Sequence, residues 1–218
     1  MKKLILIAGS GPGAGKTTCA KELYSIYSKT SRVAKFAFAD ILKDIVINLG
    51  LITREQAYTT EGKKTNTDIM WSEIKTDTPI VPDRFVTARE LLQHFGTNVM
   101  RENFIYNIWV MAMKSKVTDF MNGKGDRIVI IDDLRFMNEL LIDLDHVEGD
   151  IKRKVIYINR KGIEKNSHAS ENSLDNDLGN ALMEAFPGKS VTAWRIPNDK
   201  SLVGFQQTCR DIGEKDHD

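Results

Sequence analysis

The stretch that most limits how this chain can fold lies near its start: Leu4-Ile5-Leu6-Ile7-Ala8-Gly9-Ser10-Gly11-Pro12-Gly13-Ala14-Gly15-Lys16-Thr17-Thr18. A short apolar run suited to a buried strand passes through small residues into Gly15-Lys16-Thr17, and a segment with helical apolar spacing follows. Strand, loop and helix in that order are the context of a phosphate-binding loop. Gly11, Gly13 and Gly15 allow positive φ and keep side chains away, so successive backbone N–H groups can turn onto phosphate oxygens. A helix starting near Lys16 adds its positive dipole end. The Lys16 ammonium can reach the β- and γ-phosphates, and the Thr17 hydroxyl can ligate Mg²⁺. The pattern G-x-x-x-x-G-K-[ST] has one departure, since Ser10 stands where its first glycine belongs and Gly9 comes one residue early. Serine is small, so the turn is expected to survive, and nucleoside triphosphate binding follows as the leading expectation.

A chain of 218 residues can bury one large core, with room for an inserted subdomain. Apolar residues make up 41% and charged residues 28%, the balance of a soluble globular protein, and no apolar run approaches a membrane span. Met1-Lys2-Lys3 runs straight into the first strand, with Gly9 to Lys16 where a signal peptide would be cleaved, so a cytoplasmic location is expected. The 2 cysteines, Cys19 and Cys209, lack metal-ligand spacing and fit a reducing compartment, and His94, His146, His168 and His217 are scattered. A net charge of +1 argues against a broad nucleic-acid surface. The expected partners are small molecules, with no nucleic acid and no membrane, and a homodimer is left open.

Helical spacing from Cys19 to Lys29 leads to a strand at Val33 to Phe38, then to a helix from Asp40, its N-cap candidate, to Gly50, its stop. Thr53 to about Pro82 is polar and irregular, with Gly62, Lys63 and Lys64 in a basic cluster, and is predicted to be a mobile substrate flap. A helix is expected over Thr87 to Phe95, with a break at Gly96-Thr97-Asn98 and a second helix over Phe104 to Phe120. After the turn Asn122 to Gly125, Arg127 to Ile131 reads as a strand ending in Asp132-Asp133. A helix at Phe136 to Leu144 and a strand at Lys154 to Ile158 follow. The hydrophilic stretch Arg160 to Asn172 looks like a lid, and Val191 to Ile196 reads as the last strand. Ser201 to Ile212 closes the chain as a helix, and the tail from Glu214 is too polar to pack. The alternation predicts a parallel sheet covered by helices, with ligands at the carboxyl ends of its strands.

Paired acids at the end of a buried strand can reach the Mg²⁺ region beside a phosphate loop, although the residues alone do not separate Asp132 from Asp133. Phosphoryl transfer also needs cations, and Arg89, Arg101, Arg135 and Arg160 stand near loop or helix edges.

These patches together resemble the bacteriophage deoxynucleoside monophosphate kinases, within the P-loop nucleoside-monophosphate kinase fold. The resemblance is carried by Gly13-Ala14-Gly15-Lys16, by Phe36-Ala37-Phe38-Ala39 with Lys43, and by Arg89 to Thr97 with Arg101 and Trp109. Asp133-Leu134-Arg135-Phe136-Met137-Asn138-Glu139 completes the strong patches, and His168-Ala169-Ser170-Glu171 and Asn198-Asp199 are weaker ones. The resemblance implies an adenylate-kinase-like α/β domain with an acceptor-binding segment over about 40–100 and a lid over 160–174. Donor contacts would come from Gly11, Gly13, Ala14, Gly15, Lys16, Thr17, Thr18 and Asn198. Acceptor contacts would come from Lys43, Arg89, Gln93, Thr97, Arg101, Trp109, Arg135, Glu139, His168, Ser170 and Glu171. Lys16, Asp133, Arg89 and Arg135 would carry catalysis, with Thr17 and Asp133 on the metal side. Lys200 replaces the glycine of the family's Asn-Asp-Gly turn, and Thr17 stands where the family often has Asp.

The implied reaction moves the γ-phosphoryl of ATP, with Mg²⁺, to a deoxynucleoside 5′-monophosphate, in the host cytoplasm if the chain is phage-encoded. Animal phosphomevalonate kinases resemble the same patches and supply the alternative acceptor. A P-loop switch or motor ATPase acting on a macromolecule is the alternative from another class; it usually carries a further domain or a basic stripe, and neither is evident.

Overall fold

The computed structural model describes residues 1–75, 83–162 and 191–215. In chain order its elements begin with β1 (Lys2–Gly9), α1 (Lys16–Tyr27), β2 (Arg32–Phe36), α2 (Phe38–Asn48) and α3 (Arg54–Tyr58). Next come β3 (Asn66–Met70), β4 (Phe85–Thr87), α4 (Ala88–Gln93), a π-helical segment (His94–Glu102) and α5 (Ile108–Met121). The remainder is β5 (Arg127–Ile131), α6 (Met137–Leu140), β6 (Ile151–Asn159), β7 (Val191–Pro197) and α7 (Leu202–Lys215). Two compact units emerge: Met1–Phe38 with Val110–Asp218, and Ala39–Trp109.

The first unit is built on a five-stranded sheet in the order β2-β5-β1-β6-β7, and each neighbouring pair is parallel. Leu4 to Ala8 of β1 are all buried, which a central strand covered on both faces demands. Ile5, Ile7, Ile128, Ile130, Ile156 and Ile158 point to one face and pack with Ala20, Leu23 and Tyr27 of α1 and Phe205, Cys209 and Ile212 of α7. The alternate residues Leu4, Leu6, Val129, Ile131 and Val155 are buried as well. Each such aliphatic side chain contributes roughly 1.5–3 kcal/mol relative to exposure. The expected parallel sheet flanked by helices is therefore present.

The second unit packs Val46, Ile52, Ala57, Val86, Ala88, Leu91 and Leu92 together beside the small antiparallel pair β3-β4. Its helices have clear local causes. Thr53 and Gln56 form a capping box at α3, and Thr87 and Glu90 form another at α4. Gly50, at φ +73°, ends α2 as expected, with Gly50 N–H donating to the Ile47 carbonyl at 2.9 Å and Leu51 N–H to that of Val46 at 3.1 Å.

Several expectations are corrected. Asp40 lies in the first turn of α2 rather than at its cap, because the helix already starts at Phe38. The predicted flap carries α3, two short 3₁₀ turns and β3, since Thr and Gln side chains there satisfy backbone groups that its polar composition seemed to leave to solvent. Residues 76–82 of that stretch lie outside the described part. The expected break at Gly96-Thr97-Asn98 is a change of helix type. The bonding shifts to the wider π-helical form, and the Trp109 indole donates to the Gly96 carbonyl at 2.9 Å. Helix α6 stops at Leu140, well short of Leu144, β6 extends from Ile151 to Asn159, and α7 continues through Glu214 to Lys215.

Candidate active site

The loop between β1 and α1 occupies the carboxyl end of the central strand. Gly13 and Gly15 take φ of +78° and +108°, as expected for a backbone that turns its N–H groups inward. Gly15 is also required by space. A Cβ there would come within 2.7 Å of the Asn198 amide nitrogen and 2.8 Å of the Phe205 ring. Helix α1 begins at Lys16, so its positive end opens on the loop. The Lys16 ammonium donates to the Gly11 carbonyl at 2.9 Å, Thr17 is exposed, and Thr18 is half-buried. Asn198 donates its side-chain amide to the Ala14 carbonyl at 2.8 Å and its backbone N–H to the Asn159 carbonyl at 2.7 Å. It thus braces the loop from behind.

Strand β5 lies beside β1, in register from Lys2 with Arg127 to Leu6 with Ile131, so the residues after Ile131 emerge beside the phosphate loop. Asp132 is buried and pairs with the Lys35 ammonium at 3.5 Å. Asp133 is half-buried, and its carboxylate accepts the Phe38 N–H at 2.8 Å, satisfying a donor in the first turn of α2. Leu134 N–H donates to the Ile7 carbonyl at 3.2 Å, anchoring the chain to β1. Glu139, 2% exposed, accepts the N–H groups of Arg135 and Phe136 at 2.8 and 3.1 Å. Its carboxylate fixes the turn that carries Arg135.

Of the acceptor residues expected from the resemblance, Lys43, Arg89, Gln93, Thr97, Arg101 and Trp109 lie in the second unit, whereas Arg135 and Glu139 belong to the first. Arg89, Gln93, Thr97 and Arg101 recur every four residues through α4 and the π-helical segment. In an α-helix each such step drifts about 40° around the axis. A π-helical turn, with roughly 4.4 residues, drifts back by a similar amount, so the change of helix type holds the four near one line. Arg89 and Gln93 are half-buried, whereas Thr97 and Arg101 are buried. Trp109 is buried too, and its single donor is engaged by Gly96. Lys43 pairs with Asp40 at 2.9 Å and lies 4.4 Å from the centre of the Tyr58 ring. Burial, together with Asp40 and Asp44, pushes the Tyr58 hydroxyl up to about 12. His168, Ser170 and Glu171 lie outside the described residues, as does residue 163 onward of the expected lid.

Sequence reasoning passed over two contributors. Ser10, noted only as a departure from the glycine pattern, joins the loop to Arg160, and Arg160 donates to the Gly13 carbonyl at 2.8 Å. Lys35 faces Asp132 from the neighbouring strand. Cys19 and Cys209 are both buried, and contact with Cys209 together with burial raises the Cys19 thiol well above its ordinary value, so it is inert at neutral pH.

Among the described residues no group of three or more His, Cys, Asp and Glu side chains is gathered to hold a metal. The oxygen donors that the resemblance implies are the Thr17 hydroxyl and the Asp133 carboxylate. That set suits Mg²⁺, which takes one or two protein oxygens and completes its shell with phosphate and water.

A glycine-rich loop at the carboxyl end of a central parallel strand, with a helix starting at Lys16 and acids on the adjacent strand, defines a P-loop α/β nucleotide-binding protein. The family of deoxynucleotide monophosphate kinases is matched over residues 32–185. A protein of Acanthamoeba polyphaga mimivirus, provisionally described as a deoxynucleotide monophosphate kinase, is 31% identical in an alignment 170 residues long that covers 74% of this chain and 77% of that one. The chain belongs to the deoxynucleotide monophosphate kinase family and is a kinase acting on small molecules. Among solved structures, a gluconokinase of Sinorhizobium meliloti aligns over 98% of this chain and 92% of its own, at 10% identity and a TM-score of 0.37. Chaetomium thermophilum Kti12 in complex with ADP-AlF3 aligns over 97% of each chain, at 12% identity and a TM-score of 0.40. Both likenesses are distant, and membership rests on the family match and the viral relative. Among the described residues no helix is long and apolar enough to cross a membrane.

Proposed function

We propose that this enzyme transfers the γ-phosphoryl of ATP to a deoxynucleoside 5′-monophosphate, giving ADP and the deoxynucleoside diphosphate. The observation that carries the reading is the parallel pairing of β1 with β5. It delivers a phosphate loop and the Asp133-to-Arg135 segment to the same end of the sheet. The loop N–H groups and the start of α1 receive the donor phosphates, and Lys16 exchanges the Gly11 carbonyl for a phosphate oxygen. Thr17 and Asp133 would hold Mg²⁺, which when bound neutralises charge on the donor phosphates. Arg135, on a turn fixed by Glu139, offers a planar fork to the group in transfer. Arg89, Gln93, Thr97 and Arg101 hold the acceptor, which makes the second unit the acceptor-binding part. The acceptor phosphate oxygen is already a nucleophile, so no covalent intermediate is needed; alignment and charge neutralisation supply the rate. A coupled assay of ADP formation, run with ATP and a panel of deoxy- and ribonucleoside monophosphates, tests this. Turnover with one or more deoxynucleoside monophosphates is the expected result. ATP consumption indifferent to every monophosphate would refute it.

A further inference from the structure

The departure at Ser10 has a structural use. Strand β1 ends at Gly9, paired with Ile158 of β6, and the Ser10 N–H still donates to the Ile158 carbonyl at 2.9 Å. One step further, the side chain takes over from the backbone. The Ser10 hydroxyl oxygen accepts the Arg160 N–H at 3.1 Å, and the same hydroxyl donates to the Arg160 carbonyl at 3.3 Å. Both backbone groups of Arg160 are therefore held by one side chain that glycine, at this position of the pattern, does not have. Neighbouring residues are tied as well, Asn159 through its carbonyl to Asn198 N–H at 2.7 Å and Lys161 through its N–H to the Asp199 carboxylate at 3.2 Å. With its backbone fixed, Arg160 lays its guanidinium on the Gly13 carbonyl at 2.8 Å, over the phosphate loop.

We infer that Ser10 is a positioning residue of the donor site, holding the Arg160 backbone so that its guanidinium moves from the Gly13 carbonyl to a phosphate oxygen of the bound nucleoside triphosphate. A phosphate oxygen carries charge and accepts a guanidinium fork more strongly than a neutral, exposed carbonyl, so the exchange is favourable. The reach is short, because the carbonyl now occupied belongs to the loop that receives the phosphates. This inference rests on the kinase reading for the identity of the donor, and its test is separable from it.

The experiment measures ATP binding by calorimetry, with Mg²⁺ and without acceptor, and then steady-state kinetics for both substrates. Ser10→Gly, which restores the common loop pattern, and Ser10→Ala, which removes the hydroxyl without adding backbone freedom, should each weaken ATP binding about three- to tenfold. The KM for the monophosphate should stay as in the wild type. In an Arg160→Ala background, either Ser10 substitution should add nothing, since the group it positions is gone. The inference is overturned by unchanged ATP affinity in both variants, by a loss confined to Ser10→Gly, or by an equal further loss in the Arg160→Ala background. Should the wild type bind ATP and phosphorylate no monophosphate, the kinase reading fails, while the calorimetric comparison still decides the role of Ser10.

Discussion

Asp133 holds the Phe38 N–H at 2.8 Å, and in the proposed reaction the same carboxylate has a second task on the metal side of the site. Asp133→Asn keeps an oxygen for the first task and removes the charge needed for the second. It is expected to fold normally by circular dichroism and to lose most of its Mg²⁺ response. Asp132→Asn should lose only the pairing with Lys35; if it alone abolishes the Mg²⁺ response, the metal-side acid has been misassigned. Arg135→Ala is expected to lower kcat by roughly two orders of magnitude, the effect of removing one preorganised electrostatic donor, with ATP affinity nearly unchanged. Arg135→Lys should recover only part, because a point charge does not reproduce a fork. Loss of ATP binding in Arg135→Ala would assign this side chain to the donor alone. The loop residues from Gly11 to Thr17 were readable in advance because the chemistry needs consecutive positions of fixed type. Ser10 with Arg160 was not, since the contact joins residues 150 apart and serine there reads as a blemish in a pattern.

Among the elements, α4 shows how much a cap contributes. Glu90 accepts the Thr87 N–H at 2.9 Å and is gripped by Arg84, which, against the opposing effect of burial, lowers its carboxyl to about 2 from an ordinary 4.5. A lowered folded-state value means stabilisation present above pH 4.5 and lost as the pH falls towards 2. Glu90→Gln is therefore expected to lower the Tm by about 1–4 °C at neutral pH, a small effect because Arg84 is exposed to solvent and salt. The gap to the wild type should narrow as thermal melts are repeated from pH 5 down to pH 3. A gap that is constant across that range would show that the ion pair contributes nothing. The same region marks the boundary of what patterns reveal. Thr87 to Phe95 reads as helical from its spacing, and a glycine at 96 reads as a stop. Past Gly96 the helix goes on in π form, with the Gly96 carbonyl accepting from the indole of Trp109, thirteen residues later, and with Leu42 2.7 Å from where a Cβ at residue 96 would stand. Nothing local announces either neighbour. Strand β5, by contrast, matches its expected bounds because every requirement on it is local: a continuous apolar run between a glycine turn and two acids.

For the whole molecule, the division into two units separates the two substrates in this reading. Arg89→Ala, in the second unit, is expected to raise the monophosphate KM about tenfold or more, since one charged contact to a phosphate is lost. ATP affinity measured without acceptor should be that of the wild type. A parallel loss of ATP binding would mean that the second unit also serves the donor. The parallel sheet itself was legible from the alternation of strands and helices. Its order has a further effect during synthesis. Strand β1 precedes both of its partners in the chain, since β5 and β6 begin at Arg127 and Ile151, and β2, which follows it, pairs with β5 instead. The nascent chain therefore carries β1 as a bare apolar strand while everything between it and β5 is made, the contiguous unit Ala39–Trp109 included. The strand that leads into the phosphate loop stays unpaired until β5 has emerged and lacks its second neighbour until β6 follows, so a chain stalled before Arg127 leaves that strand for chaperones to meet.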